Sequence, residues 1–298
     1  MYNVAMNRLH KFLSTIAVAS ALTLGGWLLP ACAKKGGSSG LDGQTEKGGQ
    51  IGGEIIIDPD ISPNEGQNGA SEATSPTPAV PEKQPEVQRA EYIKITAGGV
   101  NIRSGAGTEY ARLGVAEKDT LYPVTGRVGS WYKTVYRHSA AYIHADYCKT
   151  VNMDRCANDE LEEVIGKGYE CLGVPYVYGA VRYHDGKGNR LGGFTDNAFD
   201  CSSLMQYMFK LGAGVNLQVN TRTQIYQGVT VSAGNLRRGD LMFFTNASRK
   251  NLTGIERVGH VAIYLGDNYI LHTASDYAKI EQISSTRWSY YIQAQRII

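Results

Sequence analysis

The chain lacks the marks of a nucleic-acid partner. Its 30 Lys and Arg nearly balance 28 Asp and Glu, for a formal net charge of +2. No block of five or more basic residues occurs, so charge points to no polyanion. C-x-x-C and H-x-x-x-H spacings are also missing, which removes the commonest signatures of a zinc site. Aromatics are almost absent from Lys34 to Ala90, a stretch rich in Gly, Ser, Pro, Gln and Glu that cannot form a core. Its one apolar patch, "EIIID" at 54 to 58, is too short to matter alone, and as a flexible coil the stretch spans on the order of 40 Å. Only one long apolar run exists. It follows Arg8 and Lys11, reads "FLSTIAVASALTLGGWLLPAC" without a charge, and has the form of an export signal. The alternative, a retained membrane anchor, has length in its favour, since about 20 apolar residues span a bilayer.

What is present begins with the end of that run. "LPAC" resembles the lipobox of bacterial lipoproteins, which implies that Cys32 becomes the lipidated first residue of the mature chain. Residues 1 to 32 are then a signal peptide, 33 to 90 a disordered linker, and the protein is exported to the cell envelope and held on a membrane by its lipid. Pro30 departs from the small residue usual at its position, and cleavage after "ACA" at 31 to 33 would instead release a soluble protein.

Residues 91 to 150 alternate apolar and polar positions in short runs, as in "VNIRSGAGTEYARLG" and "DTLYPVTGRVGSWYKTVY". Short strands broken by turn residues predict a small all-β barrel. "VNIRSGAGT", "SWYKTVY" and "AYIHADY", with Asn101, Arg103, Trp131 and Tyr142 to Tyr147 in order, resemble a bacterial SH3-like domain of the kind found in cell-wall enzymes.

From residue 159 to 298 the pattern is α+β. "NDELEEVIGKGYECLG" and "FDCSSLMQYMFKLG" carry helical periodicity, the second with Leu204, Met208 and Leu211 on one face. Then come "GDLMFF", "VGHVAIYLG" and "NYILHTA", which predict an antiparallel sheet whose last two strands form a hairpin near Gly266. Asp200 is a good N-cap, so Cys201 falls in the first helical turn, where backbone amides and the helix dipole make a thiolate cheapest. Strand alternation puts His260 on one face with Ala262 and Tyr264, and the hairpin brings His272 nearly opposite. A thiol nucleophile needs a base, and the base needs an orienting group. Cys201, His260 and His272 supply those roles in that order.

"GVPYVYGA", "FDCSSL", "GDLMFF", "VGHVAIYLG" and "YILHTAS" together resemble the NlpC/p60 family of cell-wall cysteine peptidases. The resemblance implies a papain-like core with Cys201 as nucleophile, His260 as base and His272 as orienter. It also implies that Tyr176 lies beside the thiol, and that Asp200, Ser202 and Thr221 line the substrate side. The expected reaction is hydrolysis of a peptidoglycan stem peptide, at the bond from γ-D-glutamyl to a diamino acid. Between "PYVYGA" and "FDCSS", the segment 181 to 198 is longer and richer in glycine than the family usually shows. Only about ten residues join the barrel to the first peptidase helix, so the units are expected to pack, and the barrel to close one end of the cleft. A preference for a free N-terminal L-alanine follows, with Asp200 or Glu109 pairing its ammonium.

Other readings compete. The barrel could bind wall material beside an inactive scaffold, although Cys201, His260 and His272 are intact. The same three residues could hold zinc, or the thiol could serve an amidase, an acyl transferase or a general hydrolase of intact wall. No cofactor or metal is expected, and the protein is expected to be a monomer. Cys148 and Cys156, close in sequence, could bridge in an oxidising envelope, which would add roughly 2 to 3 kcal/mol by loop entropy.

Overall fold

The computed structural model describes residues 88 to 298. The expected signal and linker, with Cys32, lie outside the described residues. Eight strands make the first unit: β1 (Arg89–Ile95), β2 (Val100–Arg103), β3 (Arg112–Ala116), β4 (Leu121–Pro123), β5 (Gly126–Val128), β6 (Trp131–Tyr136), β7 (Ser139–His144) and β8 (Cys148–Asp154). Five of them form an antiparallel sheet in the order β3-β2-β7-β6-β5, while β8, β1 and β4 lie side by side in another. Alternation drives this arrangement: Tyr92, Ile102, Leu121 and Ile143 are sealed from solvent between the two sheets.

The second unit is α+β, as its sequence pattern predicts. Its elements are α1 (Asp159–Glu170), α2 (Cys201–Ala213), α3 (Thr221–Gln224), β9 (Val229–Val231), β10 (Leu241–Phe244), β11 (His260–Gly266), β12 (Tyr269–Ala274), β13 (Tyr277–Gln282), α4 (Ser285–Ser289) and β14 (Tyr291–Arg296). The strands run in the order β13-β12-β11-β10-β14-β9, and the barrel's β4 continues the sheet beyond β13 through a Leu121 to Ile280 pairing. Asp267 and Asn268, both with positive φ, turn β11 into β12.

The Asn158 side chain caps α1 by accepting from the Leu161 N–H. Helices α1 and α2 cross closely because Gly212 has no side chain: a Cβ there would lie 2.4 Å from the Val164 backbone. The expected amphipathic stripe on α2 needs correction. Cys201 to Phe209 are all buried, with α1 on one side and the sheet on the other, while Leu211 is 40% exposed in the last turn. A helix buried all round has no polar face to show.

A Cys148–Cys156 bridge is also excluded, because β8 stays extended from Cys148 through Asp154 and pairs with β1 throughout. At about 3.3 Å per residue the two thiols stand far beyond the roughly 7 Å Cα limit for a disulfide. Cys148, Cys156, Cys171 and Cys201 are all free.

The two units pack directly. Arg137 and His138, at the β6–β7 turn, donate their backbone N–H groups to Leu172 and Glu170 carbonyls at 2.8 and 2.7 Å. Gly173 adopts φ +82° against Tyr136, where a Cβ would meet the ring at 2.1 Å. Arg238 donates to both Glu162 oxygens (2.6 and 3.0 Å), to the Leu265 carbonyl (2.9 Å) and to the Tyr169 hydroxyl (2.9 Å). Tyr169 is in turn hydrogen-bonded to Tyr92 of the barrel. A buried ion pair is tolerable when its polar atoms are matched, as they are here.

Candidate active site

Asp200 begins the site by beginning a helix. Its carboxylate accepts from the Ser203 N–H at 2.8 Å while the Ser203 hydroxyl accepts from the Asp200 N–H at 2.9 Å, a reciprocal capping box. That cap holds Cys201 at the first helical position, at the bottom of a cleft. The backbone N–H groups of Val261, Ser202 and Cys201 favour its ionised form.

The histidines come from the neighbouring hairpin. His260 opens β11 and His272 lies in β12, and their rings meet at a 3.0 Å contact between His260 Nε2 and His272 Nδ1. His272 Nε2 lies 3.0 Å from Glu281 Oε1, and that oxygen also accepts from Arg287 Nη2 at 3.0 Å. Charge fixes the direction of this chain. Burial pushes Glu281 up, but the His272 hydrogen bond, with His272, Arg287 and Lys279 nearby, outweighs it and holds the carboxyl at about 2. An ionised carboxylate can only accept, so His272 carries its proton on Nε2. Burial keeps His272 neutral despite Glu281, so its Nδ1 accepts and His260 Nε2 donates. Burial, His272 and Arg287 also push His260 well below its ordinary value. Its Nδ1 lone pair is therefore left free in the cleft it shares with Cys201.

The thiol itself departs from expectation. Burial, and then the Asp200 charge, push Cys201 up to about 12 despite the three backbone donors. Desolvation outweighs the helix start and favours a neutral thiol beside a neutral imidazole. The proton must leave sulfur as the bond to substrate forms.

The cleft has two halves that share Tyr176, Cys201 and Gly259. His260, Thr245, Ser275 and Arg287 line one half, of about 290 Å³. Asp200, Ser202, Thr221, Arg182, Arg222 and Arg249 line the other. The expected substrate-side residues Tyr176, Asp200, Ser202 and Thr221 are thus gathered around the thiol. Glu109 is not among them. It is exposed in the barrel's loop between β2 and β3, and no barrel residue lines either half. The barrel meets the peptidase unit at β13, through Leu121 and Ile280, and at Gly173 and Asp196, through the side chains of Arg137 and His138.

Glu281, Arg287 and Arg182 are site residues without a sequence signature. Glu281 follows His272 by nine residues and reaches it only because β13 returns beside β12. Arg182 belongs to the long segment 181 to 198. Among the described residues no cluster of His, Cys, Asp and Glu has the geometry of a metal site, and no helix is long and apolar enough to cross a membrane.

A buried thiol at a helix start, set beside an imidazole relay on a sheet, is suited to nucleophilic attack on a carbonyl carbon. Residues 173 to 296 match the NlpC/P60 family and residues 98 to 149 match the bacterial SH3 domain. The chain carries an NlpC/P60 family domain behind a bacterial SH3 domain. The Escherichia coli (strain K12) murein DD-endopeptidase MepS/murein LD-carboxypeptidase is 37% identical over 123 residues, which are 39% of this chain and 60% of that protein. The γ-D-glutamyl-L-lysine dipeptidyl-peptidase of Bacillus subtilis (strain 168) is 24% identical over 171 residues, 57% of this chain and 50% of that protein. This chain thus spans between half and six tenths of these relatives' lengths. A crystal structure of an NlpC/P60 family protein from Bacillus cereus ATCC 10987 matches with a TM-score of 0.37 and 21% identity, covering 70% of this chain and 63% of that one.

Proposed function

We propose that this protein is an envelope cysteine peptidase that cuts peptidoglycan stem peptides between the γ-carboxyl of D-glutamate and the diamino acid. The observation that carries the reading is the one-way relay from Glu281 through His272 to His260, which leaves one basic nitrogen in the cleft that holds Cys201. The Cys201 sulfur attacks the γ-carbonyl as its proton passes to His260 Nδ1. Backbone N–H groups at the start of α2 stabilise the oxyanion. The C–N bond breaks as Nδ1–H protonates the leaving amine, giving a thioester. Water then attacks that carbon, its proton goes to Nδ1, the C–S bond breaks and the proton returns to sulfur. The products are a γ-glutamyl acid and a diamino acid with a free amine.

This chemistry orients the substrate. The leaving amine must lie by His260, so the acyl residue occupies the half lined by Arg182, Arg222 and Arg249. A γ-linked glutamate brings a free α-carboxylate into that cationic half. A D-alanyl donor at a cross-link would bring none, although the name of the Escherichia coli relative supports that second reading. Glu109 lines neither half of the cleft and Asp200 is already paired with Arg182, so no free carboxylate there favours an N-terminal ammonium. Membrane attachment through a lipid on Cys32 completes the proposal, and Cys32→Ser should move the protein to the soluble fraction or leave it unprocessed. The deciding experiment is incubation with defined muropeptides and mass analysis, beside Cys201→Ala. Loss of all cleavage in a folded variant is expected; retained cleavage refutes the nucleophile, and D-alanyl products refute the bond.

A further inference from the structure

The carboxylate at the start of α2 is full. Asp200 Oδ1 accepts from the Ser203 N–H at 2.8 Å and the Ser202 hydroxyl at 2.9 Å. Oδ2 takes the Gly179 N–H at 3.3 Å and Arg182 Nη2 at 2.9 Å. A carboxylate has about four acceptor positions, so nothing is left for an incoming ammonium, and Arg182 already matches the charge. Arg182 is itself held firmly: Nε donates to the Val219 carbonyl and Nη1 to the Ala180 carbonyl, both at 2.7 Å, and Nη2 lies 3.3 Å from the Ser202 hydroxyl. Its segment is no loose rim. The next residue, Tyr183, packs edge-on against Phe194 and against Tyr207 of α2, with ring centroids 5.0 and 5.9 Å away.

Two more arginines line the same half. Arg222 and Arg249 share Glu256, at 3.6 and 3.2 Å, and that carboxylate is largely exposed and lines neither half. A cation entering here meets three guanidinium groups and one carboxylate that is already paired. Without a partner it would bear the cost of its own desolvation.

We propose that Arg182 closes the acyl half of the cleft to a free α-ammonium group, so that the enzyme acts on anionic stem peptides whose N-terminus is carried as an amide. Peptide still joined to the wall through its alanine nitrogen is such a substrate; the trimmed peptide with a free amine is not. The inference rests on the γ-glutamyl reading above.

It is tested by comparing kcat/KM for the L-Ala-γ-D-Glu-diamino-acid peptide with a free and with an acetylated N-terminus. At pH 6.5 the acetylated form should be favoured at least tenfold. The gap should narrow as pH rises through the amine's own pKa, about 7.7 to 8.0, because the neutral amine carries no charge to strand. Arg182→Met, which releases Asp200, should lower the acetyl preference about tenfold, and Arg182→Lys should retain it. If the methionine variant fails to fold, the wild-type ratio and its pH dependence decide. Equal cleavage of both forms, or faster cleavage of the free amine, overturns the role of Arg182 while leaving the γ-glutamyl reading intact. No cleavage of either form, or masses placing the cut elsewhere, overturns that reading and this inference with it.

Discussion

Replacing Glu281 tests the relay at its far end. With the carboxylate in place the productive tautomer is held by a hydrogen bond to a charged acceptor, worth about 1.5 to 3 kcal/mol, against about 0.5 to 1.5 for a neutral one. Glu281→Gln keeps an oxygen that can accept from both His272 and Arg287 but loses the charge. The difference, about 1 to 1.5 kcal/mol, predicts roughly a tenfold fall in kcat/KM. Glu281→Leu removes the acceptor, frees His272 to hold its proton on either nitrogen, and should cost up to about 100-fold by the same arithmetic. Both variants leave the Arg287 charge unmatched near the histidines, and Arg287 already pushes His260 down. The pKa of His260 falls further. Activity needs neutral His260, so the acid limb of the pH–rate profile should move to lower pH while the plateau drops. The assay is kcat/KM from pH 4 to 9 on an acetylated stem peptide, with circular dichroism to confirm folding. A leucine variant within threefold of wild type, with an unmoved acid limb, would refute the relay.

Three further outcomes are expected. His260→Ala should match the background of Cys201→Ala, whereas His272→Ala should keep at least about tenfold more activity, since an orienter costs less to lose than a base; equal rates for the two would contradict these roles. Because burial raises the Cys201 thiol and lowers His260, alkylation by iodoacetamide should be slower than for an ordinary thiol and should still rise above pH 9, and fast alkylation that is flat below pH 7 would show a resting ion pair instead. Thiol titration of unfolded, unreduced mature protein should find Cys148, Cys156, Cys171 and Cys201 all free, and loss of Cys148 and Cys156 together would contradict the extended β8.

Much of this site is legible in the sequence because its parts are local. A cap before a thiol, alternation around His260 and a turn at Gly266 each follow from a few neighbouring residues, and they suffice to bring two imidazoles together. The register confirms why: Ile263 faces Leu271, so His272 falls one pair of residues from His260 on the same face. What is hidden depends on distance along the chain. Glu281 has the look of any surface acid in an alternating strand, "YAKIEQ", and its place on the His272 face is set by the β12–β13 register. Arg182 is hidden differently, since it opens a segment that reads only as unusually long and Gly-rich, and the packing of Tyr183 and Phe194 on Tyr207 is what shows that it is anchored. The thiol's ionisation is hidden for a related reason. A helix start can be read from "FDCSS", but the burial that overrides it comes from the whole domain.

The docking of the barrel follows from the same sheet. Strand β13 carries Glu281 and would be the edge of the peptidase sheet without a neighbour. An uncovered edge exposes unpaired backbone groups and frays. The barrel's β4 covers it, with Leu121 paired to Ile280, the residue before Glu281. Lys279, directly opposite His272 in the ladder, also bridges to Glu117 of the barrel at 3.1 Å and to Asp276 at 2.6 Å. The barrel therefore steadies the strand that orients the imidazole relay, while contributing no residue to the cleft. Loosening that contact should act through the relay rather than through substrate binding. Leu121→Ala removes a fully buried side chain at the seam and should destabilise the fold by about 2 to 5 kcal/mol. In the protein that remains folded, kcat should fall with KM unchanged, because no barrel residue lines the acyl half of the cleft. A rise in KM at constant kcat would instead mean that the barrel takes part in holding the substrate.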